Sequence, residues 1–133
     1  MLTLKSFTLT ELMVVIIVLG ILAGYALPNY ARSVERAHMR EASGQLRAVH
    51  AANQIYRAQN GEYWPGDGND YPIANINSNL GINLIENGMT FSCKGSDGST
   101  FTCTATRDGA AFVVTLTEAL LSAANPVCSG GCP

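Results

Sequence analysis

The sequence holds few of the constellations that catalysis requires. No HExxH pattern, nucleophile elbow or phosphate-binding glycine loop occurs. The two histidines, His38 and His50, lie about twelve residues apart, roughly 120° around a helix axis, so they do not make a shared metal edge. The four cysteines lack paired CxxC spacing, which favours disulfides over zinc. Together these absences leave no catalytic residue, no metal site and no cofactor to assign. Outside its first 28 residues the chain has only about a hundred positions, enough for one small domain and no second.

What the chain does have is concentrated near its start. Phe7 to Leu27 reads FTLTELMVVIIVLGILAGYAL, an apolar run that carries one carboxylate, Glu11, and ends at Pro28. At 1.5 Å per residue this run makes a helix of about 32 Å, enough to cross a bilayer core. A carboxylate inside such a run costs on the order of 3 kcal/mol on insertion scales, so it marks a functional position and needs a partner. A cation supplied at the same depth by another chain is the obvious one.

The segment Phe7-Thr8-Leu9-Thr10-Glu11-Leu12 closely resembles the start of mature type IV pilins and their pseudopilin relatives. The resemblance extends through Gly20, Pro28 and the polar helix that follows, about the first 60 residues. It implies a leader, Met1–Ser6, removed by a prepilin peptidase between Ser6 and Phe7, and N-methylation of the new Phe7 amine. It also implies that Glu11 meets the Phe7 amine of a neighbouring subunit on assembly, and that the section from Gly20 to Pro28 can lose helical structure in the filament. Two positions depart from the family pattern: Ser6 stands where leaders usually end in Gly, and Thr10 where an aliphatic residue is common.

A secretory signal peptide is the plainer account of the run, but that needs a 7–15-residue apolar core and a small-x-small cleavage site. This run is longer and contains Glu11. Only Lys5 precedes it, whereas Arg32, Arg36 and Arg40 follow, so a count of positive charges would place the C-terminal side in the cytoplasm. Four downstream cysteines and the resemblance favour the opposite, a head outside.

From Asn29 to Asn60 the sequence reads as an amphipathic helix. Val34, His38, Ala42, Leu46, Val49, Ala52 and Tyr56 recur at three- and four-residue steps, and Gly61 suits the left-handed conformation that ends a helix. Pro28 is expected to kink or break the junction with the apolar run. This helix is basic, with five Arg against Glu35 and Glu41, whereas the chain after Asn60 has seven acids against Lys94 and Arg107. Arg32, Arg36, Arg40 and Arg47 share one side, either as a solvated face or as an inter-subunit surface. Without clustered aromatics they make a weak nucleic-acid footprint, and nucleic acid is not expected as a partner.

Residues 61–88 read as a long loop with at most one helical turn, anchored by Tyr63, Trp64 and Tyr71. Within it Asp67-Gly-Asn69-Asp70 faintly resembles a calcium loop, but Tyr71 falls at the third ligand position and no closing Glu follows at the required distance. Met89–Cys93, Phe101–Arg107 and Ala111–Thr117 alternate as strands, with turns at Gly95-Ser96-Asp97-Gly98 and Asp108-Gly109. The tail, 118–133, has room for a helical turn before the last two cysteines. The fold class expected is α+β, a long N-terminal helix with a membrane half and an amphipathic half, packed on a small antiparallel meander.

Four cysteines allow three pairings. Cys93–Cys103 is favoured because these residues flank a turn that brings two antiparallel strands side by side, and Cys128–Cys132 because Ser129-Gly130-Gly131 can close a small ring. A bond from Cys128 or Cys132 back to the sheet remains open. The function expected is that of a structural subunit of a type IV pilus, a homopolymer built with prepilin peptidase and the pilus assembly machinery. Its precursor would be held in the inner membrane, and the product would be an extracellular surface filament. A pseudopilin of a type II secretion or DNA-uptake apparatus is the competitor within the family, and a monomeric membrane-anchored binding domain the competitor outside it. Aromatic residues, 8% of the chain, do not single out conduction.

Overall fold

The computed structural model describes residues 7–109, 112–119 and 125–133. The elements, in order, are α1 (Leu9–Asn60), β1 (Asp70–Pro72), α2 (Ile73–Leu80), β2 (Met89–Lys94), β3 (Thr102–Arg107), β4 (Phe112–Thr117) and β5 (Val127–Gly130). The chain divides into two units, one ending at Glu35 and the other running from Arg36 to Pro133.

In the first unit every described side chain from Phe7 to Ser33 is exposed. The expected break at Pro28 does not occur, and α1 is assigned straight through it. Proline removes one amide donor and crowds the carbonyl a turn earlier, which is a local loss. Nearby, Asn29 Nδ2 donates to the Tyr25 carbonyl at 3.3 Å and Ser33 Oγ to the Asn29 carbonyl at 2.9 Å.

In the second unit the sheet is antiparallel throughout, with strands in chain order β1-β2-β3-β4-β5. Alternation sends Met89, Phe91, Cys93, Cys103, Ala105, Phe112, Val114 and Leu116 into the core. Ala42, Leu46 and Val49 of α1 join the same core, with His38, Met39, Ala52 and Tyr56 half-buried beside them. Each large apolar side chain fully buried here contributes about 1.5–3 kcal/mol relative to exposure.

Three features differ from expectation. Residues 61–88 are not one loop: they contain β1 and the eight-residue helix α2. Ile73, Ile76 and Leu80 give α2 an apolar edge, Ile76 is buried, and Gly81 ends the helix at φ 64° with its amide bonded to the Asn77 carbonyl. The asparagines around them are poor helix formers, and burial of Ile76 outweighs that preference. The tail carries β5; residues 120–124, where the helical turn before Cys128 had room, lie outside the described residues, as does Ala111 at the expected start of β4. The sheet therefore has five strands where three were read.

Polar groups on the core face of α1 tie loops to it. Asn53, fully buried, donates through Nδ2 to the Trp64 carbonyl at 2.6 Å and accepts from the Trp64 amide at 2.9 Å. His50, also buried, has Nε2 3.0 Å from the Ala119 carbonyl. Asn125 bridges Thr117 and Ala119 in the same way. Among the described residues no buried side-chain polar atom lacks a partner. Tyr63 stacks at 5.0 Å on Phe101 and Trp64 at 5.3 Å on Tyr71, so these aromatics hold the loop to the head.

Cys93 and Cys103 are direct cross-strand partners with Cα atoms 4.0 Å apart and are bonded to each other, and Cys128 is bonded to Cys132. On the chain-entropy model these loops contribute roughly 3 and 2 kcal/mol. Non-reducing peptide mapping is expected to return these two links; a fragment joining Cys93 or Cys103 to the tail would contradict the structure. Asn53→Ala in the detergent-solubilised chain is expected to lower unfolding free energy by about 2–4 kcal/mol, because two backbone groups of Trp64 lose their buried partners. A denaturation curve within about 0.5 kcal/mol of the parent would refute the clamp.

Candidate functional site

The start of α1 is built as a reciprocal cap. Thr8 precedes the first helical residue, and its Oγ1 accepts from the Glu11 amide at 3.2 Å. Glu11 Oε2 in return accepts from the Thr8 amide and from Thr8 Oγ1, both at 2.9 Å. This is the Thr-x-x-Glu capping box, which satisfies orphan donors at a helix start. It turns the Glu11 carboxylate back toward Phe7 and leaves Oε1 without a hydrogen-bond partner among the described residues. Thr8 was the residue missed in the sequence, although the Thr8-x-x-Glu11 spacing before an apolar run was a readable signal.

Around this carboxylate the helix is uncovered. Phe7 is 78% exposed, and even Val15 and Val18, the most sheltered large apolar residues of the run, remain 49% exposed. Beyond the helix's own backbone, a Cβ added at Gly20 or Gly24 would meet nothing within 4 Å among the described residues, so no packing among them requires either glycine. Of the residues assigned from sequence, Phe7, Glu11, Gly20 and Pro28 thus lie on one exposed stretch, while Ser6 and the rest of the leader lie outside the described residues.

The calcium-like run is occupied by its own neighbours. The Tyr71 hydroxyl donates to Asp67 Oδ2, and the Asn69 side chain and backbone amides donate to the same carboxylate at 2.8 and 3.2 Å. These bonds hold the Asp67 carboxyl below its ordinary range and push the Tyr71 hydroxyl above its own. Among the described residues no three of His, Cys, Asp and Glu converge to hold a metal ion.

Comparison with known proteins points to the same stretch of α1. The family model for the prokaryotic N-terminal methylation motif matches residues 5–27. The chain is similar to the type IV major pilin protein PilA of Myxococcus xanthus, with 36% identity over 59 residues, 44% of this chain and 27% of that protein. It is similar to the type II secretion system core protein G of Klebsiella pneumoniae, with 37% identity over 59 residues, 44% of this chain and 42% of that protein. It is also similar to the fimbrial protein EcpC of Eikenella corrodens, with 44% identity over 63 residues, 47% of this chain and 40% of that protein. The chain thus spans less than half the length of these relatives. No solved structure matches. The N-terminal segment of the chain thus carries the prokaryotic N-terminal methylation motif and is similar to type IV pilins and type II secretion pseudopilins.

Proposed function

We propose that the chain is a structural subunit of a type IV pilus, cut between Ser6 and Phe7, N-methylated at Phe7 and polymerised through α1. The observation that carries this reading is the apolar stretch from Phe7 to Leu27, exposed throughout, with a capped carboxylate near its start. Such a surface is stable only in lipid or against other apolar helices. A bilayer would store the subunit, and a bundle of identical helices would replace the lipid. Glu11 would pair through its free Oε1 with the Phe7 ammonium of a neighbour, which cancels two charges that neither lipid nor a helix bundle solvates. Gly20 and Gly24 would let neighbouring helices approach closely. The chain would have no catalytic role. The similarity to type II secretion system core protein G supports the pseudopilin alternative equally well, and a long external filament versus a short periplasmic one separates the two.

Sheared surface material is expected to have an N-terminus at methylated Phe7 and two disulfides by intact-mass measurement and N-terminal sequencing. Assembled chains beginning at Met1 would overturn the processing step.

Glu11→Ala is expected to insert into membranes at least as well as the parent, because the segment becomes more apolar. Assembly should fall more than tenfold, since an unpaired ammonium in apolar surroundings costs about 3–5 kcal/mol. Glu11→Gln separates pairing from capping. Its amide oxygen still accepts from Thr8, so the helix start survives while the charge is gone. Filament yields for Glu11→Gln that match the parent would show that capping, not pairing, is the role of Glu11.

A further inference from the structure

The second unit carries two exposed surfaces of opposite charge. Arg36, Arg40 and Arg47 of α1 fall within about 40° of one another around the helix axis. All three are exposed, and among the described residues none makes an ion pair or side-chain hydrogen bond. Glu41 lies off this face, where its carboxylate accepts from Asn87 at 3.1 Å. Beside the arginines, about 40–80° further around the helix, the exposed side is small, with Ala37, Gly44 and Ala48, so another backbone can approach there.

The acidic surface forms where the chain leaves α1. Tyr63 donates its amide to the Gly98 carbonyl at 2.7 Å and Gly68 its amide to Gly95 at 2.8 Å, which presses the segment after Gly61 onto the β2–β3 turn. Glu62 lies directly over Gly98, whose added Cβ would stand 2.7 Å from Glu62 Oε2. Glu62, Asp67 and Asp97 are thereby gathered, and Asp70 joins them opposite Lys94 in the register of β1 and β2. Local hydrogen bonds hold the Asp67 and Asp97 carboxyls below their ordinary range, so both stay charged into mildly acidic conditions. Lys94 stands opposite Asp70, and Arg57 is engaged by the Tyr63 hydroxyl at 3.0 Å.

We propose that the Arg36, Arg40 and Arg47 face of one copy docks on the Glu62, Asp67, Asp70 and Asp97 surface of a second copy of this chain. The proposal rests on the filament reading and fixes a geometry for it. Along the chain the centre of the basic face and Glu62 are about 21 residues apart, so parallel copies in this contact are staggered by about 31 Å at the helical rise. The contact is heterologous, using a different surface on each copy, and so propagates without closing. Glu11 and Phe7 are separated along the helix by only about 6 Å, so the charge contact and the Glu11 pairing are made to different neighbours. Screening over about 8 Å at physiological salt means the two surfaces must touch rather than attract at long range.

The test uses the full chain in membranes and in filaments. Arg47→Lys introduces an amine that a carbodiimide can condense with a carboxylate in contact, and mixing isotope-labelled with unlabelled chains identifies links between copies. Within one copy residue 47 and Glu62 are about 22 Å apart along the helix, beyond the reach of such a link. An intermolecular peptide joining residue 47 to Glu62, Asp67, Asp70 or Asp97 is expected. Links only to other carboxylates, or none, would overturn the contact. In parallel, Arg40→Glu with Arg47→Glu, and separately Glu62→Lys with Asp70→Lys, are expected to lower sheared-filament yield at least about tenfold at equal membrane level and with both disulfides intact. The four changes together should restore it. Parental yield from either pair, or no recovery in the combination, refutes the docking. If the parent chain builds no filament, the pilus reading fails, and the cross-link in membranes still decides the contact.

Discussion

The chain carries an apolar helical surface whose described side chains are all exposed. From Phe7 to Leu27 every described side chain is exposed, and the single carboxylate in that stretch is turned back on the helix start by Thr8. Water is an unfavourable solvent for such a surface, so burying it is favourable. The remainder of the structure answers to that constraint. The second unit must fold from about a hundred residues without drawing on the apolar stretch, and a domain of that size has little margin.

Covalent and polar ties supply part of that margin. Cys93–Cys103 fixes the register of the two central strand partners, and Cys128–Cys132 closes the tail. Asn53, His50 and Asn125 each reach backbone groups of a segment with little regular structure of its own. Buried polar groups of this kind add little net energy when paired, but unpairing them is costly, so they select one arrangement of the loops over others.

The parts of this fold that could be read from sequence are those written in a repeating pattern. The apolar run, the stripe at Ala42, Leu46 and Val49, and the alternation at Phe91, Ala105 and Val114 all follow helix or strand periods. Elements set by tertiary context were missed. α2 has too many asparagines to announce itself, β1 and β5 are three and four residues long, and neither shows an alternation that could be counted. Asn53 and His50 fell outside the stripe read from sequence, and their partners, at Trp64 and Ala119, are backbone groups that no side-chain pattern reports. At the start of α1 Glu11 was legible as a lone carboxylate in an apolar run, whereas at Pro28 the expected break does not occur and the helix continues.

The two edges of the sheet are unusually blunt. β1 has three residues and ends in Pro72, which has no amide hydrogen to offer, and β5 has four and runs into the ring closed by Cys128 and Cys132. An open edge of ordinary length is a template for another strand, and pairing between edges is how sheet proteins fuse when crowded. Heads tethered side by side at very high local concentration would meet that hazard continuously. Edges this short give a neighbouring sheet almost nothing to pair with, so crowding can bring heads together through their side chains without welding their backbones.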